Sequence, residues 1–297
     1  MRIAVVGSLN MDLTVTTERL PNKGETLLGQ SLHTIPGGKG ANQACAIGRL
    51  GGDVTMFGCV GDDDFGHQLI QSLQDNGVHT SPIGCISGIP TGIALITVGE
   101  SDNTIIVVPG ANHQVDETYL RTVQDELLTF DLVLLQLEIP MATVAAVCQL
   151  CHEHDIDVLL NPAPAQPLPE RVLRQIRYLT PNEHEAALLL PDKGSMEERV
   201  QQMPGRLIIT LGAEGSLAAD HDGRLIRTPA APARVVDTTG AGDTYNGAFA
   251  YATAIGLPLR EALRFASTAA SISTEQLGAQ GGMPTRTQVE ARLRADA

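Results

Sequence analysis

No apolar run in the sequence approaches the ~20 residues that a bilayer span needs, so no membrane-spanning segment is expected. Basic residues are scarce: 20 Lys and Arg stand against 34 Asp and Glu, a formal charge of −14. A surface of that sign argues against a nucleic-acid partner, although a local cluster of N–H donors can still hold an anion. Cysteine is also sparse, with five residues, an odd number and widely scattered. That pattern predicts a reducing, cytoplasmic setting and no disulfide framework. The stretch "MRIAVVGSLNMD" has one basic residue and a short apolar run before glycine and polar residues. It is expected to be a first strand and not a signal peptide. No Ser/Gly linker, internal repeat or low-complexity tract divides the chain. The first strand lacks a following G-x-G-x-x-G, which argues against a dinucleotide-dependent oxidoreductase. "GDDDFG" (Asp62 to Asp64) lacks the ligand spacing of a calcium loop and is expected to be a strand-end turn leading to a helix N-cap.

What is present is a globular core. Hydrophobic residues make up 43% of 297, enough for one large α/β domain spanning residues 1–297. The runs "RIAVVGS", "VTMFGCV", "DLVLLQLE", "IDVLLNP", "YLTPN" and "RLIITLG" are short, rich in Val, Ile and Leu, and end in turn residues, as buried strands do. Between them "ANQACAIGRLG", "DFGHQLIQSLQDNG", "DETYLRTVQDELLTF" and "MATVAAVCQLCHEHD" carry apolar residues three or four apart. This alternation predicts a mostly parallel sheet with helices on both faces. Residues 12–36 and 91–108 break the rhythm with hairpin-like strands and no helix, so they are expected to form a small sheet projecting from the main one. Ligands of open parallel sheets bind beyond the carboxyl ends of the strands. That directs attention to Asn10, Asp12, Glu138, Asn182 and "TLGAEG".

Two glycine-rich segments carry the chemistry. "PGGKGANQA" surrounds Lys39 with three glycines and then starts a helix; glycine lets the backbone approach a ligand, and Lys39 and Asn42 offer donors to hydroxyls. It is not a Walker loop, since that spacing and the terminal Lys-Ser/Thr are missing. In "DTTGAGDT", the N–H groups of Gly240, Ala241 and Gly242 are expected to point outward at a helix start, where the dipole adds positive charge. A first-turn acid needs no glycine neighbours. Gly240 and Gly242 each give up ~1 kcal/mol of helix propensity, so close approach of an anion explains them better. Asp243 beside that anion can accept a proton from an attacking hydroxyl.

Other clusters have plainer readings. Asn182 and Glu185 in "PNEHEAALL" fit an N-cap with acids favoured by the dipole, or a site for magnesium-bound water near phosphates; the residues alone favour the cap. "CQLCHEH" matches the C-x-x-C-H spacing of haem attachment. It falls inside an amphipathic helical pattern with no second ligand pair, so Cys148 and Cys151 are expected to be apolar fillers.

Taken in order, "GSLNMDL", "PGGKGANQA", "CVGDDDFG", "LLQLEIP", "TPNEHEA", "IITLGAEG", "DTTGAGDTYNGAF" and "LGAQGGMPT" resemble the ribokinase-like carbohydrate kinase family along almost the whole chain. The resemblance implies a three-layer α/β/α sandwich with a small β-sheet lid. It also implies ATP-dependent phosphorylation of a sugar hydroxyl, the 5-hydroxyl where the sugar is D-ribose. By matching position, Asp243 is the base, with Gly240, Ala241 and Gly242 as the anion hole. Asn10, Met11, Asp12, Gly38, Lys39, Gly40, Ala41, Asn42 and Glu138 hold the sugar. Asn182, Thr210, Leu211, Gly212, Ala213, Glu214, Gly215 and Ser267, with Gly242 and Asp243, line the nucleotide site. Glu185 acts on Mg2+ through water. Asp237 and Thr239, with backbone near Ser273, Gln276, Gly278 and Gly282, surround an activating K+ or another monovalent cation. Glu214 stands where the family often has a basic residue, Ser267 where it often has His, and Gly282 where it often has a hydroxyl. A homodimer through the lid is implied as well. Another sugar or nucleoside kinase of this fold, acting on deoxyribose, fructose or adenosine, is the nearest alternative, followed by a non-catalytic sugar-binding regulator.

Overall fold

Every residue of Ile3–Val6 is buried, because this strand lies between two parallel neighbours and helices cover both sheet faces. Its side chains alternate between two cores: Ile3 and Val5 join one and Ala4 and Val6 the other, as the period of two requires. The computed structural model describes residues 1–99, 102–190 and 194–295. In chain order the first half comprises β1 (Ile3–Val6), β2 (Asn10–Thr16), β3 (Ser31–Gly37), α1 (Lys39–Arg49), β4 (Val54–Phe57), β5 (Cys59–Gly61), α2 (Asp64–Asp75), β6 (Gly84–Ile86), β7 (Gly92–Gly99), β8 (Asp102–Val108) and α3 (Glu117–Leu127). Then follow β9 (Leu132–Leu135), α4 (Met141–Glu153), β10 (Asp157–Leu160), α5 (Glu170–Gln175), β11 (Tyr178–Leu179), α6 (Glu183–Leu189), α7 (Met196–Gln202), β12 (Ile208–Thr210), β13 (Ser216–Ala219), β14 (Leu225–Thr228), α8 (Ala241–Ala254), α9 (Leu259–Ser273) and α10 (Arg286–Ala295).

Five strands pair in parallel in the order β11-β10-β9-β1-β4. α1, α8 and α9 pack on one face, while α3 and α4 pack on the other. This is the three-layer α/β/α arrangement expected. The sheet departs from it at one edge. β12 meets β11 and its following turn through the parallel bridges Leu179↔Leu207 and Asn182↔Thr210, and then β13 and β14 turn antiparallel. The expected parallel run therefore ends in an antiparallel meander, since the short turn around Gly223 leaves no room for a crossover helix.

The segments without helices form a separate four-stranded sheet, in the order β3-β2-β7-β8. It consists of two hairpins, β2–β3 and β7–β8, joined by parallel pairing of β2 with β7. Residues 100 and 101 of the second hairpin lie outside the described residues, as do 191–193, 296 and 297. One end of this sheet runs into the main domain: Asn10 pairs with both Gly37 and Gly92. Among the described residues, no helix is long and apolar enough to cross a membrane.

Candidate active site

Asp243 sits in the first turn of α8 and is 7% exposed. The turn before it needs glycine at 240, where φ is 75° and a Cβ would lie 2.8 Å from Ala279. The outward-facing N–H set differs by one member from the expectation. Ala241 N–H is engaged, donating to the Thr238 carbonyl at 3.2 Å. Among the described residues, the N–H groups of Gly240, Gly242 and Asp243 have no acceptor. A donor set at the N-terminus of a 14-residue helix still favours an anion there.

α1 packs against α8 and supplies the carboxylate's partners. Asn42 Nδ2 donates to Asp243 Oδ2 and Gln43 Nε2 donates to Oδ1, both at 3.0 Å. Lys39, at the start of α1, lines a polar cavity of about 140 Å³ with Asn161, Asn182, Glu185, Gly242 and Asp243. The Asp243 carboxylate, with help from Glu138, Glu185 and Asp12, raises the Lys39 pKa against the opposing effect of burial. The Lys39 charge is therefore secure in this enclosed space.

Toward the lid, Asp12 and Glu138 complete an acidic wall. Burial, then the nearby Glu138 and Asp243 carboxylates, push the Asp12 carboxyl up to about 7. Gly37 makes room for this group, since a Cβ there would lie 2.4 Å from Asp12 Oδ2. Glu138 Oε2 accepts from Ser8 Oγ (2.6 Å) and from the Lys39 backbone N–H (3.1 Å). Asn10 is buried, and its Oδ1 accepts from Asn112 Nδ2 at 2.7 Å. Gly38 (φ 86°) brings the start of α1 against the Asn10 backbone, and Gly40 does the same against Gly7 and Ser8. Two expected sugar contacts have side chains elsewhere: Met11 and Ala41 are each 1% exposed and belong to the core. Strand alternation sends Met11 away from Asn10 and Asp12, so only its backbone lies along this wall.

On the other side of Gly242 a larger cleft opens, about 580 Å³. Asn182, Thr210, Gly212, Ala213, Gly215 and Ser267 line it, together with small residues from 230–233. Ser267 is 4% exposed and its Oγ has no hydrogen-bond partner among the described residues. Three expected members fall outside the lining: Asp243 lies in the neighbouring polar cavity, Leu211 packs against the core and Glu214 is exposed. The short 3-10 turn Gly212–Glu214 sends that acid outward. The two cavities share Asn182, Thr210 and Gly242, so they adjoin at Gly242, next to Asp243.

Glu185 completes a capping box: its N–H donates to Asn182 Oδ1, and its Oε2 accepts from the Asn182 N–H, both at 2.8 Å. Burial raises its carboxyl pKa. Its other oxygen has no partner among the described residues, and the residue lines the polar cavity, which suits a water on a hydrated divalent ion. At Asp237 burial opposes ionisation, but N–H bonds from Thr239 (2.9 Å) and Gly278 (2.8 Å) outweigh it and hold the carboxyl below its usual range. Beside it the Thr274 carbonyl accepts from the Val236 and Asp237 N–H groups. The Ser273 carbonyl, at the negative end of α9, has no donor among the described residues, and Gly282 packs directly on it. A carboxylate beside a free helix-terminal carbonyl is a donor set that suits a monovalent cation. The side chain of Gln276 and that of Thr239 are exposed.

The remaining motifs resolve simply. Asp63 caps α2 by accepting from Gly66 N–H, as expected of that turn. Cys148 and Cys151 are fully buried in α4, where burial pushes each thiol up to about 12. Sequence reasoning passed over the polar residues behind the site: Gln43, Asn112, Gln136, Asn161, Thr180, Asn246 and Gln280. The signal for them was an amide or hydroxyl inside an otherwise apolar run, such as Gln136 in "LVLLQLE", because a buried amide needs partners.

With this geometry in view, comparison places the chain in a class. Residues 1–286 match the pfkB family carbohydrate kinases, and the chain belongs to that family. Within it, the chain is 47% identical over 291 residues to the ribokinase of Bacillus subtilis (strain 168), covering 98% of this chain and 99% of that one. The crystal structure of the Thermotoga maritima ribokinase superposes with a TM-score of 0.89 at 34% identity, covering 99% of both chains. The Arabidopsis thaliana ribokinase complexed with ribose and ATP gives the same TM-score and identity, over 99% of this chain and 98% of that one.

Proposed function

We propose that this protein is an ATP-dependent kinase that phosphorylates D-ribose on its 5-hydroxyl, giving ribose 5-phosphate and ADP. The observation that carries the reading is the placement of Asp243, a buried carboxylate where a nucleotide-sized cleft meets a small polar cavity. The ribokinase relatives support the choice of sugar.

In this reading, Asn10, Asp12, Lys39, Asn42 and Glu138 hold the sugar hydroxyls, with the backbone of Met11, Gly38, Gly40 and Ala41 alongside. The sugar's 5-hydroxyl faces Asp243. Phosphoryl transfer is catalysed mainly by positioning and charge stabilisation. Asp243 takes the hydroxyl proton late in the transfer. The N–H groups of Gly240, Gly242 and Asp243 and the Lys39 ammonium face the charge that develops on the transferring phosphoryl group. Asn182, Thr210, Gly212, Gly215 and Ser267 receive the nucleotide. Glu185 holds water of a magnesium ion, which when bound neutralises phosphate charge. Asp237, Thr239 and the Ser273 carbonyl are the groups that would hold K+, which would stiffen the adjoining Gly240–Gly242 turn.

The lid sheet closes over the sugar and excludes water. Leu32, Ile105 and Ile106 are exposed on it, which supports a homodimer formed through the lid. Residues 1–297 act as one cytoplasmic kinase domain with this lid inserted. ATP consumption across pentoses, hexoses and nucleosides tests the reading: D-ribose is expected to give the highest kcat/KM, and a nucleoside or hexose exceeding it would overturn the assignment.

A further inference from the structure

We infer that Gln43 is a positioning residue for Asp243: with Asn42 it holds both carboxylate oxygens as acceptors, and buried amides behind each donor fix which way its amide is turned. This inference rests on the reading of Asp243 as the base. A primary amide has a donor end and an acceptor end that a half-turn exchanges. The order of these ends follows from one group that cannot turn. The backbone carbonyl of Thr180 can only accept, and Asn161 Nδ2 donates to it at 3.0 Å. Asn161 Oδ1 therefore faces the other way and accepts from Gln43 Nε2 at 3.1 Å. The same nitrogen donates to Asp243 Oδ1. Gln43 Oε1 is left facing back, where it accepts from Gln136 Nε2 at 2.6 Å.

The second oxygen is served in the same way. Gln280 Nε2 donates to Asn42 Oδ1 at 3.0 Å, which turns Asn42 Nδ2 toward Asp243 Oδ2. Gln43 and Gln136 are each 0% exposed, and Asn42, Asn161 and Gln280 are buried. A flip of any amide would bring oxygen against oxygen at a buried position, the costly case for buried polar groups. Gln136 meets this order at its own expense, since its Oε1 has no partner among the described residues. That oxygen occupies the space over Gly7, where a Cβ would lie 2.0 Å away.

The test is the pH dependence of kcat with both substrates saturating. Gln43→Met keeps the side-chain length and cannot donate, leaving the carboxylate one charge-assisted hydrogen bond short. The acid limb of kcat is expected to move up by about one pH unit, with the sugar and ATP KM little changed. The charged groups facing Asp243, namely Lys39 from α1, Asp12 from β2, Glu138 after β9 and Glu185 from α6, are the same in both proteins. Gln136→Met touches Gln43 and not Asp243, and is expected to move the limb in the same direction by less. It carries the test alone if Gln43→Met does not fold. Wild-type limbs in the folded variants would overturn the inference, because a merely structural role would lower Tm without moving them. Asp243→Asn assayed alongside separates two failures. Surviving turnover there would remove the base and this inference with it. Lost turnover there, with an unmoved limb in Gln43→Met, would overturn this inference alone.

Discussion

At the sugar end of the cleft, Asp243, Asn42, Gln43 and Asn161 are enclosed and bonded to one another. At the nucleotide end the wall is alanine, glycine and proline from 212–215 and 230–233, with the buried Ser267 hydroxyl lacking a partner among the described residues. The first region recognises through fixed side-chain charges and dipoles, so a single substitution there disturbs several groups. The second recognises through shape and backbone, where most single changes remove one contact. Substitutions at the two ends should therefore differ in size and in the constant they move.

The largest effect is expected at the junction of the two regions. Asp243→Asn should lower kcat by ~10²-fold or more, with ribose and ATP binding by calorimetry changed far less. Retained turnover would erase the distinction between the regions. Next comes the acidic wall. Asp12→Ala removes the proposed partner of a sugar hydroxyl, and kcat/KM for ribose should fall by ~10-fold or more. A sugar lacking the contacted hydroxyl should lose less, so equal losses would count against the contact.

Third is the Asp237 loop, where the proposed cation would stiffen the donors from outside both regions. At fixed ionic strength with magnesium saturating, replacing K+ by tetramethylammonium should lower kcat by ~10-fold. Equal rates in the two salts, for wild type and for Asp237→Asn, would leave Asp237 a turn-forming acid held by Thr239 and Gly278. Fourth is a stability effect of Asp12 itself. Its folded pKa of about 7 lies above its ordinary value, so its contribution to stability is fully present below about pH 4 and is lost as pH rises through 7. Asp12→Asn should therefore raise Tm relative to wild type more at about pH 8 than at about pH 5. The same difference at both would contradict the placement. Smallest is Ser267→Ala at the nucleotide end, expected to raise the ATP KM by about fivefold or less while leaving the ribose KM unchanged.

The same contrast governs what could be read from the sequence. The sugar end was largely legible, because Lys39, Asn42 and Asp243 fall within two short glycine-marked segments whose residue types state their chemistry. Its supporting layer was not. Gln43 adjoins Asn42 and looks like any helical Gln; only the packing of α1 on α8 turns it toward Asp243. Gln136 and Asn161 directly follow neighbouring strands, and their convergence on Gln43 depends on the β9–β10 register. The nucleotide end was legible only by resemblance, since alanines and glycines brought together from three segments carry no local mark of a ligand. Up to β12 the strand series was read apart from two points: "VTMFGCV" makes two strands, β4 and β5, and the three-residue β6 was not read. The meander β13–β14 was missed because "SLAA" and "LIRT" are four residues each, too short for periodicity to separate from loop. At Ala241 a local turn bond to Thr238 took an N–H that helix geometry alone assigns to the anion.

The central claim is that the two regions meet over one hydroxyl. Its most direct test is the identity of the product, read by ³¹P and ¹³C NMR after turnover of ATP with D-ribose, with 5-deoxyribose as the parallel substrate. The account predicts a single phosphate ester at C5 and no sugar phosphate from 5-deoxyribose. An ester at another carbon, or comparable sugar phosphate from 5-deoxyribose, would contradict it.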